Sequence, residues 1–509
     1  MRYLMGIDLG TSGTKTVIFT EGGAVTASAM AEYPILQPQN GWAEQDPDTW
    51  WDAVQKTVPA AIKKAGINAA EIAGVGIAGQ MHGLVAVDRD KAVVRNAILW
   101  CDGRTSAECA QITERVGREN LIRISANPAL TGFTAGKLLW VRNHEPERYA
   151  RIDKIMLPKD YIRFKLTGTF GCEVSDASGT NLFDVPNRCW SEEILTALEI
   201  PQDFLPPVTE SQAVVGAITE AAARKTGLAV GTPVVAGAGD NAAAAVGTGV
   251  TEKGKALVTI GTSGVIFAHS ERVAIDPLGR VHTFCHAVPG AWTMMSCTLS
   301  AGMSLQWFRN NFCGQEIERA KERGTDPYKV MDEEAAEIPV GADGLVYLPY
   351  LMGERSPLLD ENARGVFFGL SGRHTRAHLV RAVMEGVAYS QRQCLEVLEE
   401  NGVRPDKLVM TGGGSSSGLW RGMIADNLGC AVLRSKNKEG PAAGAAILAG
   451  VGVGAYADVH DACARWIKKE DATVPDLQKK KQYDPYFEIY KKLYSQNKIL
   501  FEELREISG

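Results

Sequence analysis

No apolar segment of this chain reads as a membrane span. The uncharged run at residues 440–457 is mostly glycine and alanine and falls short of what a bilayer requires. No signal peptide is expected, because Asp8 interrupts an N-terminal apolar run far shorter than an h-region. Basic excess is absent as well: 54 Lys and Arg face 60 Asp and Glu, a net charge of −6. That balance leaves no electrostatic footprint for nucleic acid or for an anionic membrane. The ten cysteines stand singly, without a Cys-x-x-Cys pair, as reduced thiols of a cytoplasmic chain do. His282-Thr-Phe-Cys-His286 is the one tight His/Cys cluster, but a metal site needs a second ligand group and none follows, so it reads as a sheet strand.

What is present fits a large α/β protein. At 509 residues the chain exceeds one core. Two domains are expected over residues 1–248 and 255–450, with a helical appendage over 451–509. In that appendage Phe487, Tyr490, Leu493, Tyr494, Leu500, Phe501, Leu504 and Ile507 mark one packing face of a terminal helix. Oligomeric state is open, with a homodimer allowed.

The stretch at residues 232–247 is the centre of the pattern. Residues 232–236 read as a short buried strand, Gly237 and Gly239 permit a sharp turn, and Asp240 opens a helix of four alanines. Asp240 has two readings. It caps the helix, worth about 1 kcal/mol, or it stands ionised at a strand-to-helix corner as general base for a substrate hydroxyl.

Asp8-Leu-Gly-Thr-Ser-Gly13 joins two strands, and its Gly10 and Gly13 are expected to allow positive φ. A hairpin of this kind offers backbone N–H groups beside the hydroxyls of Thr11 and Ser12, a nest for phosphate. It is not a Walker A loop, since no Gly-Lys-Ser/Thr follows. The same strand–Gly-Thr-Ser-Gly–strand design returns at Gly261-Thr-Ser-Gly264. Two copies at half-chain spacing suggest a duplicated domain, each half giving one hairpin to a shared cleft.

Other polar loops follow apparent strands. Residues 72–77 lead into Ala78-Gly-Gln-Met-His-Gly83, which places Gln80, Met81 and His82 where ligand contacts concentrate. Trp100, Asp102 and Arg104 have the same form; the last two can pair with each other or reach a polyol. Thr411-Gly-Gly-Gly-Ser-Ser-Ser417 separates a strand from a helix, so a nucleotide can lie against its backbone. The small residues from Gly440 onward suit packing against an adenine or against the helix's own sheet.

Gly132-Phe-Thr-Ala-Gly-Lys-Leu-Leu-Trp-Val-Arg-Asn-His144 resembles the first signature of the FGGY carbohydrate kinases. Residues 365–370 with 378–385 resemble the second, and the likeness runs in order over residues 3–450. The resemblance implies two actin-like, ribonuclease H-like domains with ATP and sugar in the cleft. It implies that Asp240 is the catalytic base and that Asp8 helps hold Mg²⁺ through water. It also implies a sugar pocket at Gln80, Met81, His82, Asn241, Trp100, Asp102 and Arg104. ATP contacts are implied at Gly10, Thr11, Ser12, Gly13, Lys15, Gly261, Thr262, Ser263, Gly302, Gln306, Gly412, Gly413, Gly414 and Ser417. Gln-Met-His-Gly and Gly-Asp-Asn are most similar to members acting on xylulose, so a pentulose substrate is expected. Ala238, where many relatives have glycine or a polar residue, departs from the pattern. A nucleotide-gated binding protein of the actin kind is an alternative, but the residues after 450 are too few for a partner-binding domain. A sugar sensor without catalysis is a second alternative, opposed by the intact Asp8 and Asp240.

Overall fold

In the computed structural model, which describes residues 2–435, 439–468 and 472–508, each half is built on a seven-stranded sheet. The first half contributes β1 (Tyr3–Leu9), β2 (Gly13–Thr20), β3 (Val25–Glu32), β4 (Ile72–Gly79), β5 (Val214–Ala217), β6 (Pro233–Val235) and β7 (Ala238–Gly239). They order as β5-β6-β4-β1-β2-β3, with β7 also pairing β4. The second half contributes β8 (Lys255–Ile260), β9 (Gly264–Ser270), β10 (His282–Cys285), β11 (Trp292–Thr298), β12 (Lys407–Thr411), β13 (Ala431–Arg434) and β14 (Ala472–Thr473), ordered β10-β11-β9-β8-β12-β13-β14.

The halves share one plan. β1 pairs antiparallel with β2 and parallel with β4; β8 pairs antiparallel with β9 and parallel with β12. Parallel neighbours buried on both faces need continuous apolar runs, and Leu4, Met5, Ile7 and Leu9 are fully covered. Helix α1 (Pro47–Ala65) covers one face of the first sheet, its start capped by Asp46 accepting from Asp48 N across 3.0 Å.

The helix at the small-residue stretch, α4 (Gly440–Gly452), corrects the expectation that it packs on its own sheet. It crosses to the first half and lies on β1 and β4. A Cβ on Gly6 would stand 1.9 Å from Ala442 O, and one on Gly76 would stand 1.9 Å from Ala445 O. It also lies against α3 (Asp240–Gly247), where a Cβ on Gly444 would come within 1.8 Å of Ala243 O. Small residues are required because backbone meets backbone. The expected boundary at 450 therefore falls inside a helix. One buried cluster holds Leu4, Val17, Val235 and Ala243 together with Leu257, Phe267, Val409 and Ile447, so a single core spans both halves.

The final segment straps the two halves rather than hanging from one. Trp466 packs on Phe19 at 5.0 Å between ring centroids, and β14 adds a strand to the second sheet. Helix α5 (Leu477–Ser508) buries Tyr483, Phe487, Tyr490, Leu493 and Phe501 against Val346, Leu348, Tyr350 and Tyr389. The expected packing face is thus shorter than the apolar pattern: Leu500, Leu504 and Ile507 are exposed, since the helix runs past the surface that covers it. Residues 282–285 form the expected strand, and among the described residues no three His, Cys, Asp or Glu side chains form a metal cluster.

Candidate active site

The strand ends collect the chemistry. β1 ends at Leu9 beside the end of β4 at Gly79, and β7 pairs with the same end of β4, so the loops at 10–13, 80–83 and 237–240 emerge together. Gly237 is held at φ 81°, where a Cβ would meet Ile77 O at 2.0 Å.

Asp240 is the first residue of α3, and the N-cap position itself is held by Gly239. Asp240 Oδ1 accepts from the next residue, Asn241, through the backbone N at 2.7 Å and Nδ2 at 3.0 Å. The preceding turn is anchored from below: Gly239 N donates to Ser175 Oγ at 3.1 Å and Arg163 Nη1 donates to Ala236 O at 3.2 Å. Ser175 in turn donates to the buried Glu173 at 2.8 Å. The helix dipole expected to keep the Asp240 carboxylate ionised is opposed by burial. Burial pushes the Asp240 pKa up to about 6, only partly opposed by the two Asn241 bonds. Burial likewise pushes Asp8 up to about 7, with the charge of Asp240 adding to the rise and Lys15 opposing it. These carboxylates therefore sense one another. Asp8 lies within β1, opposite Lys15 in register, and Lys15 Nζ reaches Glu439 at 2.5 Å, just ahead of α4.

The sugar-side loop presses on this corner. A Cβ on Gly239 would stand 2.9 Å from Met81 Cγ, so Met81 lies directly against the residue before Asp240. His82 adopts a left-handed φ of 67° and stacks on Phe133 at 4.5 Å, with Nδ1 bonded to Gly179 O at 2.8 Å. Burial first, then the nearby Lys137 charge, lower its pKa to about 3, so the ring is neutral. Lys137 holds the loop from beneath, donating to His82 O at 2.8 Å and Gly132 O at 2.6 Å. This lysine lies on α2 (Thr134–His144) and was not singled out from the sequence. A lone charge followed by Leu138, Leu139, Trp140 and Val141, all buried, was the available signal.

The structure also places the remaining expected sugar contacts. Gln80 is buried, its Nε2 donating to Gln45 Oε1 at 3.2 Å. Asp102 and Arg104 take the first of their two alternatives: Arg104 Nη2 lies 2.6 Å from Asp102 Oδ2, Asp102 accepts from Ala43 N at 2.6 Å, and the guanidinium lies 3.7 Å from the Trp42 ring. They brace the wall. Trp100 is exposed and donates to Thr11 Oγ1 at 2.9 Å.

The carbonyls of both hairpins are taken. In the first, Gly10 O accepts from Tyr33 Oη (2.7 Å), Thr11 O from Gln45 Nε2 (2.7 Å) and Ser12 O from Tyr33 N (3.1 Å). In the second, Gly261 O accepts from Gly302 N (2.7 Å), Thr262 O from Ala301 N (3.0 Å) and Ser263 O from Gly261 N (3.0 Å). Amides at Thr11, Ser12, Thr262 and Ser263 remain for an anion. The expected positive φ is absent at Gly10, Gly13, Gly261 and Gly264. At two of these positions glycine is needed for space: a Cβ on Gly13 would meet Ala31 O at 2.8 Å, and one on Gly264 would meet Thr298 Oγ1 at 2.5 Å. Around the second hairpin two further loops converge. A Cβ on Gly302 would stand 2.4 Å from Gly261 O, and one on Gly412 (φ 79°) would stand 2.5 Å from Ile260 O. Gly413 is exposed, Gly414 packs on Ile260, Gln306 is exposed on its helix, and Ser417 caps the next helix by accepting from Trp420 N at 3.0 Å.

Comparison with known proteins decides the family. Models of the FGGY family of carbohydrate kinases match its N-terminal domain over residues 3–247 and its C-terminal domain over residues 256–453. The chain belongs to the FGGY family of carbohydrate kinases. This FGGY kinase is 40% identical over 508 residues to the xylulose kinase of Bacillus subtilis (strain 168), covering 99% of each chain. It is similar to the crystal structure of xylulose kinase from Rhodospirillum rubrum, with a TM-score of 0.91 and 32% identity over 98% of this chain and 100% of that one. Gluconate kinase from Lactobacillus acidophilus has a TM-score of 0.92 at 26% identity, covering 99% of each chain. The two actin-like, sheet-and-helix halves expected of this FGGY kinase are the architecture seen.

Proposed function

We propose that this FGGY kinase transfers the γ-phosphoryl group of ATP to the terminal hydroxyl of D-xylulose, giving the 5-phosphate, with Asp240 as general base. The observation that carries the reading is the contact of Met81 with Gly239, which sets a base poised near neutrality beside the sugar loop. Phosphoryl transfer passes through a loose transition state, so alignment and neutralisation of charge do most of the work. Asp240 receives the hydroxyl proton, while the amides of the two hairpins, with Gly302, Gly412 and Gly414 packed behind the second, hold the triphosphate. His82 accepts a hydroxyl hydrogen bond through Nε2, and Asn241 keeps the Asp240 carboxylate oriented through Oδ1.

Asp8 and Asp240 fit Mg²⁺, which takes one or two carboxylates and completes its shell with water and phosphate. Asp8, its charge disfavoured by burial and by Asp240, is a carboxylate that a cation would relieve. When bound, Mg²⁺ supplies charge neutralisation on the transferring phosphate. Ten free cysteines, and the absence among the described residues of a helix able to cross a membrane, suit a cytoplasmic enzyme.

A screen of sugar-dependent ADP release across pentuloses, hexuloses, glycerol and gluconate tests the reading. Turnover strongest with D-xylulose is expected; a higher kcat/KM for gluconate would reassign the substrate. Gluconate is the competitor to include because a gluconate kinase and xylulose kinases share this fold at similar TM-scores.

A further inference from the structure

His82 does not stand alone in its wall. Its ring lies 6.0 Å from Phe284, and Phe133 lies 5.7 Å from His282 and 6.1 Å from Phe284. His282 and Phe284 belong to β10, in the second half. The two histidines thus flank one aromatic box assembled from both halves, and their tautomers can be worked out. His82 Nδ1 faces the carbonyl oxygen of Gly179, which only accepts, so Nδ1 carries the proton and Nε2 carries a lone pair. His282 Nδ1 faces Asn127 Oδ1 at 3.0 Å. Asn127 Nδ2 is committed to Ser125 O and Thr283 O, both at 2.9 Å, which fixes Oδ1 as the acceptor. His282 Nε2 is therefore also a lone-pair acceptor. Burial keeps both rings neutral, lowering each pKa to about 3.

A donor accompanies them. Arg355 is carried on a turn fastened to the end of β11, the strand beside His282: Ser356 N donates to Cys297 O at 3.0 Å, and the buried Glu354 Oε1 accepts from Leu299 N and Arg355 N, both at 2.8 Å. Leu299 leads into residues 301–303, which dock on the second hairpin. The turn thereby links the nucleotide side to the sugar side. The turn is thus bonded to the strand that pairs with the strand of His282, and the positive charge of Arg355 acts on both His82 and His282. Among the described residues no carboxylate pairs with its guanidinium and no acceptor engages it, although the side chain is partly buried. Five N–H donors in a fixed fork, left unpaired beside two neutral acceptors, form an incomplete hydrogen-bond set.

We propose that His282 and Arg355 form the second wall of the sugar pocket, in which the two imidazole Nε2 atoms accept from substrate hydroxyls and Arg355 donates to substrate oxygens. The polar, uncharged end of a ketose offers that complement: hydroxyls that donate and a carbonyl that accepts. It rests on the reading that His82 faces the sugar, and it adds that the nucleotide-bearing half also selects the sugar.

The test uses the full chain and whichever substrate the wild type turns over best, so a wrong sugar identity is detected before the wall is tested. Arg355→Met removes the donor, and His282→Asn retains the Nδ1-like bond to Asn127 while deleting Nε2. Each is expected to raise KM for the sugar by roughly 10- to 100-fold, the scale of a lost charged or buried hydrogen bond, with KM for ATP within about twofold of wild type. Arg355→Ala should regain sugar affinity when guanidinium ion is added, a rescue that a purely structural arginine would not show. Unchanged sugar KM in a folded Arg355→Met protein, or an equal rise for ATP, would overturn the proposal. If the methionine variant does not fold, Arg355→Gln carries the same test with the same outcomes.

Discussion

The Lys137 ammonium lies 2.8 Å from the carbonyl oxygen of His82, and Thr134 Oγ1 donates to the same oxygen at 3.0 Å. Two donors on one carbonyl hold His82 in a left-handed conformation that a side chain larger than glycine enters at a cost. Lys137→Met keeps the aliphatic bulk and removes the donor. Sugar KM should rise at least several-fold while ATP KM stays unchanged, and stability should fall by about 1–3 kcal/mol, because the Gly132 carbonyl loses its donor and the His82 carbonyl keeps only Thr134. Steady-state kinetics with a urea titration checks both. A loss of stability with wild-type sugar KM would show that the lysine serves folding alone.

Replacing His82 itself tests the ligand contact. His82→Ala should raise sugar KM and spare ATP, since the hairpins are untouched. Equal losses for both substrates would make the ring structural, a partner of Phe133 and Gly179 only.

Asp240→Asn should leave the fold intact, because the N-cap position is held by Gly239 and asparagine can still accept from Asn241. General-base catalysis contributes about 10²–10⁴-fold, so kcat should drop by at least about a hundredfold. Turnover near wild type would remove Asp240 from the reaction. Asp102 would not replace it, being closed in a pair with Arg104.

The carboxylate pair sets a pH dependence. The base works deprotonated, and burial raises Asp240 to about 6, so kcat/KM should fall as pH drops through about 6. Stability runs the other way. A carboxyl whose folded pKa lies above the unfolded value favours the fold when protonated, and that contribution disappears as pH rises from about 4 through about 6. Without metal or nucleotide, Asp240→Asn and Asp8→Asn should therefore melt above wild type at pH 8 and level with it near pH 4. Calorimetry in EDTA reads the difference; equal melting temperatures at pH 8 would mean that solvent already relieves both charges.

Gly302→Ala inserts a Cβ 2.4 Å from Gly261 O and must push the loop off the second hairpin. ATP KM should rise by an order of magnitude or more with sugar KM nearly unchanged. A shift in sugar KM alone would separate Gly302 from the nucleotide.

Much of the site could be read from residue order because its signals are local. Asp8 stands near the end of β1, the two Gly-Thr-Ser-Gly loops follow strands, Asp240 opens a helix, and Met81-His82 follows β4; each depends on neighbours within a few residues. The twinned hairpins likewise declared the duplication. What the glycines do there was not legible: φ is ordinary at residues 10, 13, 261 and 264, and at 13 and 264 the requirement comes from Ala31, Thr298 and other atoms far along the chain. Lys137 meets the His82 carbonyl across 55 positions of the same half, and His82 and His282 come to flank one aromatic box only once the halves dock. Helix Gly440–Gly452 shows the limit most plainly. Its small residues announced close packing, but only the assembled structure decided that the surface it meets is the first half's β1 and β4, because the backbone-to-backbone contacts at Gly6 and Gly76 exist only once both halves are folded together.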